Sequence, residues 1–90
     1  MADREVAERF RDGDPDALAA LYHQYAGAVF ALARRSLGER GLAEEVVQLT
    51  FLKAWQAAGR LDIDRPLAPW LYTIARPWVC LLYTSDAADD

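Results

Sequence analysis

The segment from Ala43 to Trp55, AEEVVQLTFLKAW, most constrains the fold, because it predicts a helix with apolar residues on two opposite sides. At about 100° per residue, the face around Val47 holds small and apolar residues: Ala43, Val47, Thr50, Phe51, Ala54 and Ala58. The opposite face holds Glu45, Leu49, Leu52 and Gln56, with Gln48 at its edge. The first face is suited to a core. Leucines framed by polar groups are typical of a protein-docking surface, although a solvated face with two leucines explains the same pattern.

The composition favours one small helical domain. The 90 residues are 53% hydrophobic, with only 5 Gly and 4 Pro, which is compatible with a packed core. The net charge is −4, and it falls to −1 without the three aspartates of the last five residues. A near-neutral body of this kind remains compatible with a local basic patch that binds nucleic acid.

The sequence also predicts a cytoplasmic location without a membrane span. Cys80 is the single cysteine, so no internal disulfide can form and a reducing compartment fits. The first ten residues lack the basic and then apolar run of a signal peptide. No apolar stretch approaches the roughly 20 residues needed to cross a bilayer.

Hydrophobic periodicity predicts an all-α fold, a compact bundle of about four helices. The expected spans are Asp3–Arg11, Pro15–Leu37, Gly41–Ala58 and a fourth helix that begins near Pro66 or Leu67. The second span has the clearest apolar stripe, which consists of Leu18, Leu21, Tyr22, Tyr25, Val29, Leu32 and Ala33. Asp14 is a favourable N-cap and Gly38 a favourable C-terminal residue for this helix. Arg34 and Arg35 are expected to complement its dipole.

The last fourteen residues do not continue this pattern. Pro77 is expected to end or kink the fourth helix, and the stretch after it shifts to small and acidic residues. The string CLLYTSDAADD resembles translated read-through of a sequencing adapter. We therefore interpret residues 1–76 as the domain and residues 77–90 as a foreign or disordered tail, against the alternative of an ordinary frayed terminus.

The chain resembles an extracytoplasmic-function sigma factor of bacterial RNA polymerase. The resemblance is carried by two strings, EEVVQLTFLKAW and then WLYTIAR, together with the preceding DALAALYHQYAGAVFALARRSLGERGLA. The resemblance covers the first, or region 2, domain of that family. It implies docking on the clamp coiled coil of the polymerase largest subunit, and recognition and melting of the −10 promoter element. By this resemblance Glu45 and Gln48 are polar contacts to polymerase. Leu49, Leu52 and Gln56 lie on the same helical face and complete the predicted surface.

The resemblance also implies a site for the promoter non-template strand. Residues 60–66 resemble a loop that holds a flipped-out base, and residues 70–76 resemble the helix behind it. The predicted DNA-binding residues are Arg60, Asp62, Ile63, Arg65, Tyr72, Thr73 and Arg76. Arginines suit phosphates and Tyr72 suits base stacking, although plain solvent exposure explains Tyr72 and Arg76 equally well. Trp55 and Trp70 are expected in the core instead.

The chain departs from the family at several points. Position 49 is commonly acidic there and is leucine here, and Pro77 stands where the family usually has Asn. The basic run that normally follows and the second family domain do not occur in this sequence. An alternative function is therefore a helical interaction module that binds polymerase or an anti-sigma factor without promoter recognition. A third interpretation is a truncated reading frame.

Nothing in the sequence indicates catalysis, a cofactor or a metal. His23 is the single histidine, and no Cys or His lies at ligand spacing from it. The acid pairs Glu44/Glu45 and Asp62/Asp64 lack an accompanying nucleophile or glycine-rich phosphate loop. We expect a binding protein and not an enzyme.

Overall fold

The chain folds into four α-helices in the computed structural model, which describes the backbone of residues 2–88 and the side chains of residues 4–82. The helices α1 to α4 span Ala2–Arg11, Pro15–Leu37, Arg40–Gln56 and Leu67–Ala88. A turn of 3-10 helix, Ala58–Arg60, follows α3. Among the residues described there is no strand. The predicted all-α bundle of about four helices is confirmed.

Helix α2 begins and ends where the sequence predicts, because both of its ends carry capping residues. The Asp14 carboxylate accepts a hydrogen bond from the Asp16 amide at 2.9 Å, and Pro15 occupies the first helical position. At the other end Gly38 adopts a left-handed conformation with φ of 71°. Its N–H donates to the Arg34 carbonyl at 2.8 Å, which satisfies one of the last free carbonyls of the helix.

Helix α3 packs against both α2 and α4 and supplies the centre of the core. The predicted inner face is buried, and its members are Ala43, Val47, Thr50, Phe51, Ala54 and Ala58. Val46, which the wheel did not assign to this face, is buried as well. Burial on a wider arc follows from contact with two neighbouring helices instead of one.

The end of α3 differs from the prediction by two residues. The α-helical hydrogen bonding was expected to continue to Ala58, but α3 ends at Gln56 and the chain tightens into the 3-10 turn. Ala57 still donates its N–H to the Lys53 carbonyl at 2.9 Å. Tightening of a last turn is common where the following segment must change direction, and Gly59 lies within this turn.

Helix α1 is joined to the rest of the bundle by an aromatic cluster. Phe10 is fully buried and meets Trp55 of α3 and Trp70 of α4 edge to face, with ring centroids 5.8 and 6.2 Å away. This is the favourable geometry for aromatic pairs. Both tryptophans pack against the core as predicted.

Pro77 is expected to end or kink helix α4. The end is wrong, since α4 continues through Pro77 to Ala88, and the kink stays a prediction. A proline inside a helix removes one hydrogen bond and clashes with the preceding turn, at a cost of about 3 kcal/mol. Val79 beyond it is buried, and Trp78 and Leu82 pack against the core. Burial of such side chains contributes about 1.5–3 kcal/mol each when complete, which is enough to offset the proline. The foreign origin proposed for residues 77–90, and the domain boundary at residue 76, stay predictions.

The described helices include none that is long and apolar enough to cross a bilayer, although α4 has 22 residues.

Candidate functional site

The outer face of α3, which we define as Glu45, Gln48, Leu49, Leu52 and Gln56, lies opposite the buried face. The exposed members of this face are Glu45, Gln48, Gln56 and Leu52, and Leu52 retains 55% of its accessible surface. Leu49 is half-buried, so it contributes less apolar surface than its wheel position predicts. Leu52 is therefore the principal apolar group that this face offers to a partner.

Two clefts between α2 and α3 adjoin the outer face. Leu52 borders an apolar cleft of about 440 Å³ that also includes Leu18, Phe51 and Trp55. Gln48 borders a cleft of about 500 Å³. Tyr22 lines both clefts, which makes the accessible surface wider than α3 alone.

Tyr22 was predicted in the apolar stripe of α2, but 47% of it is exposed. Its ring packs edge to face on Phe51 with centroids 5.1 Å apart, so one side of the ring is covered and the other faces solvent. The spacing of the stripe was correct, but Tyr22 lies at the border of the stripe, where a tyrosine can keep its hydroxyl exposed to water.

The loop of residues 61–66 is fixed by its own hydrogen bonds and by apolar anchors. The Asp62 carboxylate accepts from the Asp64 amide at 3.0 Å, and the Arg65 amide donates to the Asp62 carbonyl at 3.1 Å. Leu61 is buried and Ile63 packs, half-buried, against the core. Ile63 therefore supports the loop from inside, and its predicted DNA contact is limited to the part of the side chain that remains accessible.

The charges of this loop have partners. Arg65 Nε lies 3.4 Å from Asp62 Oδ2, and Arg4 Nη1 of α1 donates to Asp64 Oδ1 at 2.8 Å. The second contact joins residues that are 60 positions apart in the chain. Each pair is solvent-exposed and contributes at most about 1 kcal/mol, but together they define how the loop presents its polar groups.

The loop and the start of α4 enclose a cleft of about 320 Å³, the loop cleft, which is lined by Leu61, Asp62, Arg65, Pro66, Pro69, Trp70 and Thr73. Three of the predicted DNA-binding residues, Asp62, Arg65 and Thr73, meet in it. The Thr73 hydroxyl donates its hydrogen to the Pro69 carbonyl at 2.8 Å, so it offers acceptor lone pairs to a ligand. The cleft thus combines acceptor oxygens with a guanidinium donor.

The other predicted DNA-binding residues lie outside this cleft. Tyr72 and Arg76 line a separate groove of about 400 Å³ between α2 and α4, together with Arg35. Arg60 is exposed at the end of the 3-10 turn and lines neither cavity. The sequence predicts for Arg35 only a role at the end of α2, where it complements the helix dipole. The spacing of Ala28, Leu32 and Arg35 on one side of α2 could have placed it in this groove.

Comparisons with known proteins identify the family. Residues 21–77 match the family model for Sigma-70 region 2. The chain belongs to the Sigma-70 region 2 family. The sigma factor CarQ of Myxococcus xanthus is 40% identical over 68 residues, which cover 76% of this chain and 39% of CarQ. The extracytoplasmic-function sigma factor SigL of Mycobacterium tuberculosis is 43% identical over 58 residues, which cover 63% of this chain and 33% of SigL. The chain therefore spans about two fifths or less of these relatives.

The fold is similar to a solved structure of the same region. The NMR structure of an engineered region 2 of sigmaE in complex with GTAAAA has a TM-score of 0.85 and 31% sequence identity. The likeness covers 97% of this chain and 90% of that chain. It includes α1, which precedes the residues that match the family model.

No cluster of three or more His, Cys, Asp or Glu residues that could hold a metal ion occurs in the described part of the chain.

Proposed function

We propose that this chain is the region 2 domain of a transcription initiation factor, which docks on RNA polymerase and recognises and melts the −10 promoter element. The observation that carries the proposal is the loop cleft, in a fold with a TM-score of 0.85 to a region 2 bound to GTAAAA. The partners would be the clamp coiled coil of the polymerase largest subunit and the non-template strand. The proposed activity of the domain is binding, without a covalent step. It would take place in the cytoplasm, where polymerase acts.

The loop cleft supplies groups that reading an unpaired base requires. Asp62 and Thr73 present acceptors to base amino groups, and Arg65 presents donors to base carbonyls or phosphates. Extruding a base costs a few kcal/mol, and contacts of roughly 1–3 kcal/mol per base offset that cost. Arg60 lies exposed beside the loop and is proposed for a phosphate, while the half-buried Ile63 holds the loop against the core.

The outer face of α3 is proposed to bind polymerase. Leu52 gives it an exposed apolar centre, and Glu45, Gln48 and Gln56 frame that centre with hydrogen-bonding groups. Covering the exposed half of Leu52 would contribute about 1 kcal/mol, from about 1.5–3 kcal/mol for a complete burial. Several such contacts would be needed for tight binding, which is consistent with the apolar cleft beside Leu52.

The DNA part is tested by fluorescence anisotropy of labelled GTAAAA with the 90-residue chain, alone and with bacterial core polymerase. Arg65→Ala is expected to weaken binding about tenfold, which corresponds to about 1.4 kcal/mol. Arg9→Ala is the matched control, because Arg9 is an exposed, ion-paired arginine on α1 outside the cleft. Equal affinities of the two variants would contradict the role of the loop cleft.

The polymerase part is tested by measuring the binding of the chain to core polymerase with biolayer interferometry. Leu52→Glu places a charge at the exposed centre of the outer face, and it should weaken binding at least tenfold without unfolding the domain. Leu81→Glu is the control, since Leu81 is 59% exposed on α4. Wild-type affinity of Leu52→Glu would remove the outer face from the interface.

A second candidate function is an interaction module that binds polymerase or an anti-sigma factor without recognising the promoter. The observation in its favour is that Asp62 and Arg65 engage each other, so base readout must first separate them. Pro77 also replaces the Asn that the family usually has there. Retained polymerase binding, together with absent binding of the oligonucleotide in the polymerase complex, would favour this candidate.

A further inference from the structure

The Asp62 carboxylate of the loop cleft is oriented by groups on both of its oxygens. Its Oδ1 accepts a hydrogen bond from the Asp64 amide at 3.0 Å, and its Oδ2 lies 3.4 Å from Arg65 Nε. Asp62 and Arg65 line the cleft, whereas Asp64 does not. The Asp64 amide therefore sets the direction of a cleft acceptor from a position outside the cleft.

Asp64 is itself held by a residue of α1. Arg4 Nη1 donates to Asp64 Oδ1 at 2.8 Å, a short distance that is typical of a charge-assisted hydrogen bond. Arg4 Nε lies 3.9 Å from Glu8 Oε2, one turn further along α1, so a second carboxylate keeps the guanidinium close to this helix. Because the contact joins positions 60 apart in the chain, it fixes the loop relative to α1 and not only within itself.

We propose that Arg4 is a positioning residue for base recognition, which acts through Asp64 on the Asp62 carboxylate. The inference rests on the proposed function and adds to it a residue that lies outside the cleft and before the residues matching the family model. Arg4 binds the side chain of Asp64, and the amide of Asp64 binds Asp62. A displacement of Asp64 therefore turns the Asp62 acceptor away from the base, since hydrogen bonds weaken steeply with misalignment.

Loss of Arg4 should change the loop cleft in two ways. The released Asp64 carboxylate is adjacent in sequence to Arg65, where it competes with Asp62 for the guanidinium. Asp62 also loses a fixed neighbour, so its hydrogen bond to a base forms less often. Since exposed ion pairs are weak, Arg4→Ala is expected to lower the preference for GTAAAA by about two- to fivefold and not to abolish it.

The experiment measures the affinity of the full chain, bound to core polymerase, for two labelled hexamers by fluorescence anisotropy. One hexamer is GTAAAA, and the other contains the same bases in a different order. The readout is the ratio of the two affinities, which a loss of phosphate attraction leaves unchanged, because phosphate contacts carry no sequence information. Arg4→Lys keeps a charge and a donor for Asp64, so it should keep a larger ratio than Arg4→Ala.

Arg9→Ala is the matched control. Arg4 and Arg9 both lie on α1, both side chains are 60% exposed, and both pair with a glutamate one turn away. The ion pair of Arg9 stays within α1, so its loss should leave the ratio at the wild-type value. Asp64→Ala completes a double-mutant cycle, in which removal of Arg4 should have no further effect once the Asp64 carboxylate is absent.

The outcomes separate this inference from the proposed function. If the wild type and Arg65→Ala behave as proposed but Arg4→Ala matches Arg9→Ala, the positioning role is overturned and the proposed function stands. The positioning role is also overturned if Arg4→Ala weakens both hexamers equally, because Arg4 would then only attract phosphates. A full effect of Arg4→Ala in the Asp64→Ala background would have the same meaning. A wild-type complex that binds neither hexamer, or both equally, overturns the inference together with promoter recognition.

Discussion

Helix α1 should stabilise the whole bundle through one side chain, Phe10. It is fully buried between Trp55 and Trp70. Truncation of a buried phenylalanine to alanine costs about 3–5 kcal/mol, and each of the two aromatic pairs lost accounts for about 0.5–1.5 kcal/mol of that. A domain of this size has a total stability of roughly 5–13 kcal/mol. Phe10→Ala should therefore remove a quarter or more of it.

The measurement is urea unfolding followed by far-UV circular dichroism, with the free energy of unfolding extrapolated to water. Phe10→Ala should also lower the unfolding temperature by roughly 12–40 °C. Phe10→Leu keeps most of the apolar burial but loses both aromatic pairs, so it should cost about 1–3 kcal/mol. Arg9→Ala, a neighbouring exposed position, should change stability by less than about 0.5 kcal/mol.

A loss below about 1 kcal/mol in Phe10→Ala would refute this reasoning, because it would mean that α1 does not unfold together with α2, α3 and α4. An unchanged urea dependence of the free energy is also required. A smaller slope would indicate that the variant exposes less surface on unfolding, and therefore that α1 is already detached in its folded state.

Four further substitutions test three separate features of the fold. Thr50→Val should raise the free energy of unfolding by about 1 kcal/mol in urea titrations, because the buried Thr50 hydroxyl has no hydrogen-bond partner among the described residues; a destabilised variant would contradict this. Gly38→Ala should lower the unfolding temperature through a cost of about 1–2 kcal/mol, since the position has φ of 71° and open space around it. Gly27→Ala, within α2 and with equally open space around it, should raise the unfolding temperature through a gain of about 0.5–1 kcal/mol. A shift of the unfolding temperature in the same direction for both glycine variants would contradict this reasoning. Arg4→Ala should cost less than about 1 kcal/mol, as expected for an exposed pair, and less still in 0.5 M salt; a loss independent of salt would exclude the ion pair with Asp64 as its cause.

The fold could be predicted from the sequence where local signals agreed with packing. Asp14, Pro15 and Gly38 fixed the bounds of α2, since capping groups act on their own helix end whatever the rest of the chain does. Pro77 shows the opposite case. Its local cost favours a helix end at this residue, but Val79 and its neighbours bury enough surface to continue the helix. That contribution depends on the position of the other helices and is not visible in a local pattern.

The sequence predicts which residues belong to the candidate site, but not how they are arranged in space. The wheel placed Leu49 and Leu52 on one face, yet only Leu52 is well exposed, because burial depends on neighbours from outside the helix. Tyr72 and Thr73 are adjacent in sequence but line different cavities. Arg35 became a candidate only when α2 and α4 were seen side by side.

The loop cleft depends on a part of the chain that lies outside the residues matching the family model. Arg4 of α1 holds Asp64 at 2.8 Å, and Phe10 packs on Trp70, which lines the cleft. The matching residues begin at position 21, so they include the loop and α4 but not these two supports. Since exposed ion pairs contribute little energy, the buried Phe10–Trp70 contact is the support that positions the wall of the cleft. The geometry of Asp62 and Thr73, which are proposed to face a base, therefore depends on α1, although none of the described side chains of α1 lines the cleft.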